Sequence, residues 1–107
     1  MQLPEQYENV TVHCKANIYF EGKVISHTLQ FPDGSKKTIG LIYPGTYHFN
    51  TNAPERMEIT AGTCAVRMAQ NAEEMVYATG SFFDVPGNSG FDIRVENGIA
   101  EYICSYL

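Results

Sequence analysis

The sequence predicts a single all-β domain arranged as a sandwich or a barrel. Short runs of alternating apolar and polar residues follow one another, separated by Gly, Pro, Asn and Asp turn signals. No window of the sequence shows a sustained helical period of apolar residues. The chain has 107 residues, of which 44% are hydrophobic, so it is long enough for one compact domain with its own core.

The predicted strands begin after the least patterned part of the chain. Residues 1–16 are expected to form either a flexible extension or an added strand, and residues 17–107 the domain itself. "PDGS" at residues 32–35 predicts a turn, and Asn97–Gly98 predicts a hairpin with a type I′ turn. The main predicted strands are 23–31, 37–43, 46–51, 55–60, 63–69, 75–78, 81–85, 91–95 and 99–107.

Side chains alternate across a strand, so their parity predicts which residues point inward. On the strand 55–60, Glu55 shares a face with Met57 and Ile59, while Arg56, Glu58 and Thr60 are expected on a solvated face. A carboxylate facing a core needs a partner or a raised pKa, so Glu55 is the first candidate for function. Other predicted inward sets are Phe91, Ile93 and Val95; Tyr47, Phe49 and Thr51; and Tyr102, Cys104 and Tyr106.

Charge and cysteine content narrow the function classes. A formal net charge of −5 argues against a nucleic-acid partner, because phosphate backbones attract Lys and Arg patches. Cys14, Cys64 and Cys104 fit neither a disulfide framework nor a CxxC site, which predicts reduced thiols in a cytoplasmic protein. The N-terminus lacks a signal-peptide pattern, and no apolar run is long enough to cross a membrane.

Two spacings resemble the motifs of a cupin β-barrel, a jelly roll also called a double-stranded β-helix. Glu55 lies seven positions before Gly62, and Gly80 lies six before Pro86. A metal-binding cupin also has an HxH pair three or four residues before the glutamate, and a histidine after the proline. Counting back four residues gives His48 and Asn50, counting back three gives Phe49 and Thr51, and the late position is Phe91. We therefore expect a metal-free barrel with Phe49 inward and His48 facing water.

Five longer stretches carry a more specific pattern: "F-x-G-K-V" from Phe20, "TIGLIYPGTYHFNT" (38–51), "ERMEITAG" (55–62), "GSFFDVPGNSGF" (80–91) and the C-terminal "YICSYL". Together they resemble the pyrimidine/purine nucleoside phosphorylase family of small cupins. The resemblance implies a cytosolic homodimer that converts a nucleoside and inorganic phosphate to a free base and a pentose 1-phosphate. It also implies broad base specificity and no cofactor. The chain departs from the family pattern at Ser105, where some members carry Arg, and at Met75–Val76, where Trp is common.

This chemistry suggests roles for the predicted inward residues. Glu55 is the catalytic candidate: it would bind a ribose hydroxyl or stabilise a cationic sugar. Tyr47 or Phe91 would stack on the base, while Thr51, Ser89 and the amides of 87–90 would hold phosphate. Phe49, Met57 and Tyr102 would wall the pocket. Each of these apolar and aromatic side chains could instead belong to the hydrophobic core, and Glu55 could have a purely structural role.

Three hypotheses follow from the sequence. The first is a metal-independent nucleoside phosphorylase. The second is a non-catalytic cupin that binds a small molecule in the same pocket. The third is a metallo-cupin that uses His48 and Glu55, against which the missing HxH pair argues.

Overall fold

The computed structural model describes residues 3–107, which are all-β apart from one 3-10 turn. Met1 and Gln2, the first residues of the expected extension, lie outside the described range. The 3-10 turn is Phe20–Gly22. The strands are β1 (Thr11–Val12), β2 (Asn17–Tyr19), β3 (Val24–Gln30), β4 (Lys36–Ile42), β5 (Gly45–Asn50), β6 (Glu55–Ala61), β7 (Thr63–Met68), β8 (Met75–Ala78), β9 (Phe82–Val85), β10 (Gly90–Val95) and β11 (Ala100–Tyr106).

The strands form two antiparallel sheets. The large sheet has the order β1-β3-β4-β11-β6-β9, with β2 also paired to β3, and the small sheet has the order β5-β10-β7-β8. From β4 onward the chain passes repeatedly from one sheet to the other. Within residues 3–107 no strand pairing joins the two sheets. The all-β prediction is thus confirmed, but the structure does not show a hydrogen-bonded closed barrel.

The core lies between the two sheets, as strand parity predicted. Met57 and Ile59 from the large sheet pack in one cluster with Phe91, Ile93 and Val95 from the small sheet. Strands with one face turned to a shared core bury alternate side chains, and this pattern was visible in the sequence.

The prediction that Glu58 is exposed to solvent is wrong. Its side chain is only 5% exposed, although it lies on the outer face of the large sheet. Glu58 pairs with Ile103 on β11 and with Phe82 on β9, so apolar neighbours flank it on both sides. An inner strand of a sheet is shielded by its neighbours even on its outward face, which parity alone does not reveal.

The two turn predictions had different outcomes. "PDGS" forms the β3–β4 turn, where Asp33 Oδ1 accepts hydrogen bonds from the Ser35 amide (2.9 Å) and hydroxyl (2.6 Å). The Asn97–Gly98 hairpin is wrong, because β10 belongs to the small sheet and β11 to the large one. Gly98 has a positive φ of 70°, but Asn97 does not, and a type I′ turn requires both. This segment is a crossing between sheets.

The N-terminal segment runs along the large sheet. Thr11 and Val12 pair with Gln30 and Leu29 of β3. Among the described residues, no helix is long and apolar enough to cross a membrane.

Candidate functional site

A pocket of about 170 Å³ opens between the two sheets. Its small-sheet wall is aromatic and apolar, formed mainly by Phe49, Phe91 and Ile93. The rings of Phe49 and Phe91 are stacked, with centroids 5.7 Å apart and planes inclined by 26°. Phe83 packs edge-on against Phe91 from behind, so this ring surface is held rigidly. A flat apolar ligand would find a stacking surface here.

The opposite wall, from the large sheet, carries the polar groups of the pocket. Ser26 on β3, Thr38 on β4 and Tyr102 on β11 line it, together with Cys104 and Glu55. Strand alternation directs these side chains to the same face as the core residues. The pocket therefore has one wall for apolar contact and one wall for hydrogen bonds.

Among residues 3–107, Glu55 is the only carboxylate that lines this pocket. It lies at the start of β6, beside Tyr106 on β11, and its side chain is half-buried. The thiol of Cys104 lies 3.5 Å from Glu55 Oε1 and donates to it. Burial raises the pKa of Glu55 above its ordinary value, and the Cys104 hydrogen bond opposes part of that rise. Glu55 therefore holds a proton more strongly than a free glutamate does.

The neighbouring acids of β11 stay protonated. Burial, with the Glu55 charge as a further cause, raises the pKa of Tyr106 to about 12. Burial likewise raises the pKa of Cys104 far above that of a free thiol, so Cys104 is a hydrogen-bond donor rather than a nucleophile.

Tyr102 reaches across the pocket floor because Gly40 makes room for it. Gly40 pairs with Tyr102 across the β4–β11 ladder. A Cβ atom at Gly40 would lie 2.7 Å from Tyr102 Cζ and 2.6 Å from the carbonyl oxygen of Ile25. The phenol ring therefore occupies the space above the glycine. Burial raises the pKa of Tyr102, and a hydrogen bond with Ser26 opposes this rise.

The rim of the pocket is an aromatic turn. Tyr19 lines the pocket, and its ring meets Phe49 edge-on at 5.8 Å. Phe20 packs on both Tyr47 and Phe49, with centroids 5.0 and 5.4 Å away. Phe20, Glu21 and Gly22 all have positive φ angles, of 52°, 57° and 91°. The first two are unfavourable for residues with a side chain, so ring packing holds this turn in place.

Comparison with known proteins places the chain in a family. The model of the pyrimidine/purine nucleoside phosphorylase family matches residues 14–106. The chain belongs to this family. A protein named pyrimidine/purine nucleoside phosphorylase from Cupriavidus necator is 52% identical over 101 residues, 94% of this chain and 95% of the relative. The protein of that name from Methylococcus capsulatus is also 52% identical, over 94% of this chain and 97% of its own length.

A solved structure shares the fold of this chain. The chain matches a protein of unknown function (DUF1255) from Acinetobacter sp. ADP1 with a TM-score of 0.92 and 45% identity. The match covers 95% of this chain and 98% of that one. The resemblance found in the sequence is thus confirmed, and it extends over nearly the whole chain.

The structure brings five of the eight predicted site residues of this family member to the pocket. They are Glu55, Phe49, Met57, Phe91 and Tyr102.

The other three predicted residues, Tyr47, Thr51 and Ser89, have structural partners and do not line the pocket. The hydroxyl of Tyr47 lies 2.8 Å from the carbonyl oxygen of Tyr43 and 2.9 Å from that of Pro44. Thr51 Oγ1 donates to the carbonyl oxygen of Pro86 at 2.6 Å and accepts from the amide of Ser89 at 3.1 Å. These bonds join the end of β5 to the turn after β9.

The two donors of the metallo-cupin hypothesis lie on different surfaces. His48 projects from the outer face of the small sheet, where Nδ1 lies 2.8 Å from Asp92 Oδ1 and Nε2 lies 3.0 Å from Asn50 Oδ1. Asp92 raises the pKa of His48, mainly through this hydrogen bond. Among residues 3–107, no three His, Cys, Asp or Glu side chains are grouped so that they could hold a metal ion. The predicted register, with Phe49 inward and His48 outward, is confirmed.

Sequence reasoning missed the pocket residues Ser26 and Thr38. Both are buried polar residues on the inward face, with Ser26 only 2% exposed. The parity of strand 23–31, in which Ser26 follows Val24 on the same face, is the signal that could have found Ser26. The position at which some family members carry Arg, Ser105, lies on the outer face of the large sheet, paired with Lys37 and Arg56. A side chain there points away from the pocket.

Proposed function

We propose that this protein is a nucleoside phosphorylase, which converts a purine or pyrimidine nucleoside and inorganic phosphate to a free base and a pentose 1-phosphate. The observation that carries the proposal is the pocket of a chain of this family, where a single half-buried carboxylate, Glu55, faces the stacked pair Phe49–Phe91. A phosphorylase needs a surface for the base, hydrogen bonds for the sugar, and negative charge near the anomeric carbon.

Glu55 has the role of stabilising the sugar cation. A phosphate oxygen forms a bond to the anomeric carbon while the bond from that carbon to the base nitrogen breaks. The bonding electrons leave with the base, which takes up a proton from the phosphate or from water. Positive charge develops on the sugar during this exchange, and a nearby carboxylate stabilises it more in the transition state than in the ground state. Burial disfavours the charged form of Glu55 and so raises its pKa, and a positive charge on the sugar would stabilise that charged form.

Stacking explains broad base specificity. The wall formed by Phe49, Phe91 and Ile93 carries no hydrogen-bonding side-chain groups. Rings contact every base through its π-face, whereas hydrogen bonds to the base edge would select one base. We infer that purines and pyrimidines bind against the same surface.

We assign the incoming phosphate to the mouth of the pocket. The amides of Asn88 and Ser89, which the sequence suggested as phosphate donors, already donate to the carbonyl of Asn52 and to Thr51 Oγ1. Tyr106 is an exposed donor that lines the pocket beside Glu55, whereas the Asn50 amide oxygen is held by His48 on the outer face of the small sheet. Tyr106 is the side chain that we assign to the incoming phosphate.

The pocket of about 170 Å³ is smaller than the roughly 300–1,000 Å³ typical of ligand sites. A whole nucleoside and phosphate therefore require the rim at Tyr19 and Phe20 to shift outward. We propose that the reaction needs no metal, because His48 and Glu55 do not converge. Incubation with a strong chelator should then leave the rate unchanged.

We also propose a cupin-type fold and a dimeric assembly for this chain. The strand orders β4-β11-β6-β9 and β5-β10-β7-β8 in facing sheets support a jelly roll of the cupin type. We further propose that the protein acts in the cytoplasm as a homodimer, as the family resemblance implies.

The decisive experiment is incubation of the purified protein with uridine and with inosine, with and without inorganic phosphate. We expect phosphate-dependent release of uracil and hypoxanthine, measured by chromatography, together with pentose 1-phosphate. Release of base without phosphate would instead show a hydrolase. No release from any of several nucleosides would leave the second hypothesis, a non-catalytic binding protein.

A further inference from the structure

The hydroxyl groups of the large-sheet wall lie in two adjacent rows. The strand registers place Ser26, Gly40 and Tyr102 side by side across β3, β4 and β11. The next row along the same strands contains Thr38 and Cys104. Each row therefore presents a buried hydroxyl to the pocket, from Ser26 in one and from Thr38 in the other.

Ser26 is held in place from behind. Asn17 Nδ2 donates to Ser26 Oγ at 3.2 Å and to Thr28 Oγ1 at 3.1 Å. Ser26 Oγ accepts this bond, and its hydroxyl proton is engaged by the hydrogen bond with Tyr102, so what it can still offer a ligand is the second lone pair of its oxygen. Since Ser26 is only 2% exposed, a ligand hydroxyl that donates to this oxygen does so in a site from which water is largely excluded.

On the opposite wall, Phe49, Phe91 and Ile93 face the Ser26 and Thr38 rows, and these three side chains offer no hydrogen-bonding groups. A ligand that satisfies both walls has one flat apolar portion and one portion with several hydroxyl groups. A nucleoside has this division, with its base as the flat portion and its ribose as the hydroxyl-bearing portion.

We propose that Ser26 and Thr38 form a sugar-binding floor that recognises the hydroxyl groups of a ribose, and that they make the protein prefer a ribonucleoside to its 2′-deoxy counterpart. This inference rests on the proposed function, since it assigns the sugar of the nucleoside to one wall of the pocket. Tyr102, lying over Gly40 with its hydroxyl hydrogen-bonded to Ser26, closes the floor at its far side.

The test compares uridine with 2′-deoxyuridine in the wild type, Ser26→Ala and Thr38→Val. The matched control is Ser105→Ala, which removes a buried hydroxyl from the outer face of the same sheet. We expect the ratio of kcat/KM for uridine over 2′-deoxyuridine to fall by about tenfold in Ser26→Ala or Thr38→Val, since a substrate hydroxyl loses its partner in a dry site. In Ser105→Ala the ratio should stay at the wild-type value.

A ratio that stays within twofold of wild type in both floor variants would overturn the inference while leaving the phosphorylase intact. If the wild type releases no base, calorimetric titration with the same two nucleosides decides the matter. Tighter binding of uridine that Ser26→Ala abolishes would support the floor and reject the enzyme. Equal binding of both nucleosides, or no binding of either, would reject the floor as well.

Discussion

Glu55→Gln should slow phosphorolysis strongly while leaving the fold unchanged. Two opposite unit charges ~5 Å apart, in a half-buried site with an effective dielectric constant of ~20, attract by about 3 kcal/mol. This energy corresponds to about a hundredfold in rate if it is available only in the transition state. Gln has the same shape and can still accept a hydrogen bond from Cys104. Because burial already disfavours the charged form of Glu55, the free energy of unfolding should change by less than about 1 kcal/mol.

The measurement is kcat with saturating uridine and phosphate, together with equilibrium unfolding in urea. Glu58→Gln is the matched control: the residue lies three positions further along β6, but on the outer face of the same sheet. We expect wild-type kcat from that variant. If Glu55→Gln retains at least a third of the wild-type kcat, or if Glu58→Gln slows the reaction equally, the carboxylate does not stabilise the sugar cation.

Three further predictions concern the support of the pocket. Cys104→Ala removes the donor that holds down the pKa of Glu55, so the acidic limb of the kcat profile should move to higher pH, whereas Cys104→Ser should keep it near wild type. Gly40→Ala should destabilise the protein by about 1–3 kcal/mol in urea unfolding, because its Cβ would collide with Tyr102 and with backbone; an unchanged midpoint would contradict the packing described. Thr51→Val should cost about 1 kcal/mol, since it removes the hydrogen bonds to the carbonyl of Pro86 and from the amide of Ser89, and Thr51→Ser should recover most of that loss.

The strands and their inward faces could be predicted from the sequence because a period of two records which face is buried. The predicted strand 55–60 matches β6 to within one residue, and the inward positions of Met57 and Ile59 followed directly. The pairing of strands could not be predicted in the same way. Asn97–Gly98 has the residue types of a hairpin turn, but the strands on either side of it form their hydrogen bonds with more distant strands. This long-range pairing places β10 and β11 in different sheets.

The site was predictable only in part. Parity identified Glu55 and Phe91 as inward, but it cannot distinguish a residue at the pocket from one packed in the core, which is why Tyr47 was included. Parity places Ser26 inward with Val24, but it does not show that this serine lines a pocket. That position becomes visible only when β4 and β11 lie beside β3 and Gly40 makes room for the phenol ring of Tyr102.

The left-handed turn at Phe20 and Glu21 has an energetic consequence for ligand entry. Two non-glycine residues in this conformation store on the order of 1–3 kcal/mol each. Displacing the Phe20 ring from its two aromatic neighbours loses contact energy, but it also lets the backbone relax. The two terms partly cancel, so outward movement of Phe20 costs less free energy than the loss of its ring contacts alone would, and a ligand can occupy the place that Phe20 vacates.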